Sequence, residues 1–135
     1  MSPKIRKIVT WVITGLLTIL MLAAGVGKFL SGGEDSHDTP NYFLVFSDAS
    51  WLPMVIGSLE VLCGLAVAFV PKLRQPAALL IMTIMLGALY SHIQVEGDFS
   101  NAGGAILGFV LAGLSIYFWK NYFKAFPPKE INAST

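Results

Sequence analysis

Three stretches of this chain carry no formal charge: Ile8 to Gly27, Gln75 to Val95 and Phe99 to Trp119. A fourth, Trp51 to Pro71, is interrupted only by Glu60 and is otherwise apolar. About 20 apolar residues in helical form cross the hydrocarbon core of a bilayer. In lipid every backbone N–H and C=O must be paired within its segment, so open chains cross as helices. The runs predict an all-α transmembrane four-helix bundle, with helices over about 8–29, 51–70, 76–95 and 102–120. A soluble bundle is excluded, because soluble amphipathic helices keep a charged outer face and these do not. Composition agrees: 55% of the 135 residues are hydrophobic and 13% charged, against about 25% charged in soluble domains. Mean hydropathy is +0.68.

Charge placement sets an expected orientation. Lys4, Arg6 and Lys7 precede the first span, Lys72 and Arg74 lie between the second and third, and Lys120, Lys124 and Lys129 follow the fourth. The opposite side holds Glu34, Asp35, Asp38, Asp48, Glu96 and Asp98. The positive-inside rule then puts both termini in the cytoplasm. Trp11, Trp119 and Tyr122 are expected in the inner aromatic belt and Trp51 in the outer one. The basic start and apolar core of the first span also resemble a signal peptide, with Leu22-Ala23-Ala24-Gly25 the nearest cleavage site. The run is too long and the site too poor for that, so the span is expected to be retained.

The connections differ. Lys72 to Gln75 reads as a tight inner turn between Pro71 and Pro76, and Glu96 to Asn101 as a short outer loop. Residues 31–50 form a longer outer loop, acidic to Asp38 and then apolar through Tyr42, Phe43, Leu44, Val45 and Phe46. That second half reads either as a short interfacial helix or as a loop dipping into the headgroups. The folded domain is expected over 1–126, with 127–135 a disordered cytoplasmic tail.

Several function classes fall away. Nine Lys+Arg set against eight Asp+Glu, net +1, make no basic groove for nucleic acid. The single cysteine, Cys63, excludes an intrachain disulfide, a Cys-x-x-Cys motif and a cysteine-based zinc site. It reads as a small apolar filler. No Ser-His-Asp set, metal cluster or phosphate loop can be found. No metal, no intrinsic cofactor and no activity of the chain's own are expected.

An ionisable side chain within a span marks a functional site by default. Glu60 lies about 13 Å below the outer surface at 1.5 Å per residue, Lys28 within about one turn of it, and His92 about one turn inside it. Tyr90 is the other titratable group at that depth. Pro53, Gly57, Glu60 and Gly64 share one helix face, and small residues there let another helix approach. The pattern predicts that Glu60 contacts Lys28, directly or through water, in an outer-half cavity walled by His92. The plainer alternatives are a structural Lys28–Glu60 pair, a snorkelling Lys28, a His92 bonded to a backbone carbonyl, and a Tyr90 that packs or sits in the belt. Gly104, Gly108 and Ala112 form a small-residue ridge on the fourth helix, used inside the bundle or at a homodimer seam.

Gly25-Val26-Gly27-Lys28-Phe29 closing the first helix, the Pro53, Gly57, Glu60, Gly64 pattern of the second, Pro71 with its basic turn, and a third helix ending near His92 together resemble the DoxX-like group of small four-span membrane proteins. The resemblance covers about residues 8–118. It implies a four-helix membrane bundle, commonly of bacterial inner membranes, and a family named for subunits of a thiosulfate:quinone oxidoreductase of acidophilic archaea. Other relatives look like assembly factors for membrane proteins. The bundle also has a distant look of vitamin K epoxide reductase, but this chain lacks the cysteine pairs which that chemistry needs.

Three readings of function follow. The first is a quinone-linked or redox accessory subunit, in which Lys28, His92 or protonated Glu60 bonds a quinone carbonyl. His92 is the only histidine in a span, so a bis-histidine haem cannot form within one chain. The second is a chaperone or scaffold that takes partner helices into small-residue grooves. The third, a small multidrug exporter, is disfavoured because Glu60 lies in the second helix and the charge bias opposes dual insertion. The expected partners are the lipid bilayer and either a second copy or a membrane complex.

Overall fold

A computed structural model describes residues 1–30, 51–93 and 102–125. They form α1 (Pro3–Leu30), α2 (Leu52–Phe69), a 3-10 turn (Pro71–Leu73), α3 (Arg74–Ser91) and α4 (Gly103–Ala125). Each of the four helices is long and apolar enough to cross a membrane. The expected interfacial helix in 31–50, the loop at 96–101 and the tail at 127–135 lie outside the described residues.

The helix boundaries follow local chemistry. α1 begins five residues before the expected start because Ser2 caps it. The Ile5 N–H donates to Ser2 Oγ at 3.4 Å and the Arg6 N–H to the Ser2 carbonyl at 3.0 Å. Pro3, with no N–H to lose, suits the first helical position. The basic residues Lys4, Arg6 and Lys7 are therefore helical. α2 ends because Pro71 forces the residue before it out of the helical region, and Val70 is extended at φ −115°, ψ 94°. Its N–H still bonds the Ala66 carbonyl. One 3-10 turn later α3 opens at Arg74, with Pro76 tolerated in its first turn. The expected four-residue turn is thus shorter, and Arg74 belongs to a helix. α4 continues past the expected residue 120 to Ala125.

In the bundle α1 packs on α2, α2 on α3, α3 on α4 and α4 on α1, while α1 with α3 and α2 with α4 stand on the diagonals. Leu17, Met21, Val67, Ala78, Ile81, Met85 and Ala112 fill the centre, and Cys63 packs among them. The buried stripe of α1 is Thr10, Thr14, Leu17, Thr18, Met21 and Gly25, the spacing of one helical face. Large apolar residues such as Leu62, Phe69, Leu79 and Tyr117 face outward. Helices apolar on every side belong in hydrocarbon.

Candidate functional site

Glycine sets the distance between α1 and α2. A Cβ on Gly25 would stand 2.6 Å from the Gly57 carbonyl oxygen and from a Val61 methyl, and one on Gly57 would stand 3.0 Å from the Gly25 carbonyl. Below them a Cβ on Gly64 would meet Met21 Cβ at 2.9 Å. The Thr18 hydroxyl donates to the Gly64 carbonyl at 3.1 Å, a bond between the helices. Backbone meets backbone here, as in close-packed membrane helix pairs.

This contact places Lys28 and Glu60. The helices are antiparallel, and helical side chains lean toward their own N-terminus. Lys28, on the last turn of α1, leans into the bundle, while Glu60 on α2 leans toward the loop end. The Lys28 Nζ donates to Glu60 Oε2 at 2.6 Å. The glutamate side chain is 3% exposed and the lysine side chain 33%. A buried ion pair of this kind adds little net stability but is costly to break from one side. Chemically it is a charged donor at the bundle surface, backed by a buried carboxylate.

Tyr90 and His92, the other residues expected at this site, lie at the C-terminal end of α3, which packs on α2. Tyr90 is 66% exposed on the outer surface of α3. His92 stands at the end of α3, the helix diagonal to α1, where its backbone N–H bonds the Ala88 and Leu89 carbonyls. Among the described residues Lys28 is the sole hydrogen-bond or ionic partner of the Glu60 carboxylate. The packing residues divide as well. Gly57 and Gly64 lie in the α1–α2 contact; Gly108 faces Met85, whose Sδ would be 2.8 Å from a Cβ there; Ala112 is fully buried. Gly104, expected on the same ridge, is exposed with open space around it.

A second polar cluster sits at the terminal end of the bundle. Arg74 is only 8% exposed. Its Nε donates to the Val67 carbonyl at 2.9 Å and an Nη to the Ala68 carbonyl at 3.1 Å. These are carbonyls of the last turn of α2, which a helix leaves without partners. The guanidinium lies 3.8 Å from the Trp119 ring centroid and 5.4 Å from that of Trp11. Trp119 donates its indole N–H to Thr14 Oγ at 2.9 Å, and the Thr14 hydroxyl passes on to the Thr10 carbonyl at 2.8 Å. Arg74 thus ties α2, α1 and α4 to the start of α3. The expectation of Trp119 in an aromatic belt fails, since it is 2% exposed and its ring stacks on a cation inside the bundle. Arg74 is likewise no free member of a basic turn. Thr10, Thr14 and Thr18, at steps of four along α1, were the signal for a polar seam on this helix.

Among the described residues no three His, Cys, Asp or Glu side chains converge. Comparison with curated proteins and with solved structures gives no match. A family model does match, the DoxX-like family, over residues 12–116. That match takes in most of all four spans, the Lys28–Glu60 pair, Arg74 and the glycine contacts, and this integral membrane protein belongs to the DoxX-like family.

Proposed function

We propose that this DoxX-like protein is an accessory subunit of a quinone-linked membrane complex, and that its Lys28–Glu60 pair is the polar contact for a quinone carbonyl. The observation that carries the reading is the asymmetry of the pair. The carboxylate is buried, whereas a third of the lysine side chain is exposed. An ammonium is a charge-assisted donor, and buried Glu60 keeps that charge in place where an apolar ring can approach. The chain would supply binding and charge, and a partner subunit the electrons. The orientation that fits has both termini in the cytoplasm of a bacterial inner membrane.

The scaffold reading has one observation in its favour, the open exposed glycines Gly103 and Gly104 at the start of α4. Most of the other small residues singled out are already used within the bundle, which favours the quinone reading. The test is quinone extraction from gently solubilised protein, with Lys28→Met beside wild type. Near-stoichiometric quinone in the wild type and its loss from a folded Lys28→Met protein are expected. A wild type that carries no quinone and gains none on addition overturns the proposal.

A further inference from the structure

On its outer side, between α2 and α3, the bundle has a groove of about 580 Å³. Leu62, Ala66 and Phe69 of α2 face Pro76, Ala77 and Leu80 of α3 across it, and Val70 and Leu73 close its terminal end. Along α2 it runs from Leu62 to Val70, about 12 Å at 1.5 Å per residue. No side chain in its walls can hydrogen-bond strongly, so nothing along its length could orient a polar ligand. Its one polar neighbour lies at the end. Lys72 stands exposed in the 3-10 turn between the two closing residues. Arg74 cannot serve there, since its guanidinium is turned inward onto carbonyls and indoles. Lys4, Arg6, Lys7, Lys120 and Lys124 lie at this same end of the bundle, and among the described residues it carries no acidic side chain.

An apolar slot about as long as half a bilayer core, closed by a cation, is complementary to an amphiphile with an anionic head. We infer that the α2–α3 groove with Lys72 is a binding site for an anionic phospholipid, one acyl chain lying along the groove and its phosphate on the Lys72 ammonium. Basic positions between membrane helices bind lipid headgroups by this charge matching. The site is separate from the Lys28–Glu60 pair, which lies toward the other end of α2, and does not depend on the quinone reading.

Native mass spectrometry of the full-length protein tests it, with phosphatidylglycerol and phosphatidylcholine of identical acyl chains competing for retention. Wild type should retain phosphatidylglycerol about fivefold over phosphatidylcholine, the effect of roughly one lysine near an anionic headgroup. Lys72→Gln should erase the preference. Lys124→Gln, at the same end on α4, should keep most of it. Ala66→Phe, which fills the groove, should lower retention of both lipids. Equal retention of both lipids by wild type overturns the inference. So does an equal loss with Lys124→Gln, which would mean a diffuse positive field. Displacement of lipid by inorganic phosphate alone, or a dimer that Ala66→Phe dissociates, would likewise reject it, pointing to a free-anion site or a second copy in the groove.

Discussion

Replacing Arg74 by methionine keeps the length and apolar body of the side chain and removes its charge and donors. Two bonds to carbonyls would go, at 2.9 and 3.1 Å, each worth about 1.5–3 kcal/mol when the donor is charged. The guanidinium–indole contact at 3.8 Å would go with them, about 0.5–2 kcal/mol. Against this, the variant no longer has to desolvate a guanidinium, a term of several kcal/mol that opposes the first two. The carbonyls of Val67 and Ala68 decide the sign, because they remain inside the bundle with a partner lost. The expected net loss is about 2–4 kcal/mol. Arg74→Lys should lose less, since an ammonium keeps the charge but cannot span two carbonyls and stack on an indole together. The assay is equilibrium unfolding in mixed micelles, followed by tryptophan fluorescence, which also reports on Trp119. Stability of Arg74→Met within about 0.5 kcal/mol of wild type, the range of ordinary surface changes, with unchanged emission, would refute the clamp.

Glu60→Gln should destabilise by about 3 kcal/mol through the lysine left beside a neutral partner, and Lys28→Met in the same chain should recover much of it; additive single effects in the same unfolding assay would show that the pair is not coupled. Alanine at Gly25, Gly108 and Gly104 should be increasingly tolerated in that order, from a loss of about 1–3 kcal/mol where a backbone carbonyl blocks the methyl, through a smaller loss against the flexible Met85, to none at Gly104. Thermal denaturation of the three purified variants gives the ranking, and equal midpoints would contradict the packing. A cysteine placed at Asp35 should react with an impermeant maleimide in intact cells; reaction only after the inner face is opened would reverse the orientation.

The spans were legible because a bilayer imposes one crude requirement, length without charge, that any reader of the sequence can count. Lys28 and Glu60 were legible for a related reason: in an apolar segment two opposite charges have few other partners, and the glycines beside them reveal which faces meet. Arg74 was misread because the same residue type serves on both sides of the membrane boundary, and flanking prolines suggest a turn whether the side chain points outward or in. Trp119 was misread for the matching reason, since an indole near a helix end suits both a headgroup and a guanidinium. Tyr90 and His92 were placed with the pair by depth alone. Depth carries no information about azimuth, and Tyr90 proved to be exposed on its helix. Gly104 shows the same limit, lying one turn past the point at which its ridge stops facing another helix.

The bonds around Arg74 differ widely in the length of chain they enclose. Those to Val67 and Ala68 close loops of seven and six residues, whereas the bond from Trp119 to Thr14 joins positions 105 apart. Closing a short loop sacrifices little chain freedom, so the α2–α3 hairpin can seal its own turn, charge included, while the rest of the polypeptide is still being made. Trp119 lies near the far end of the last helix described and cannot reach Thr14 until the fourth span has left the ribosome. Its indole docks on a cation already held in place, which makes that contact a chemical record that synthesis has run to the end of the fourth span. A chain truncated before Trp119 would keep the two carbonyl bonds of the hairpin and leave one face of the arginine uncovered.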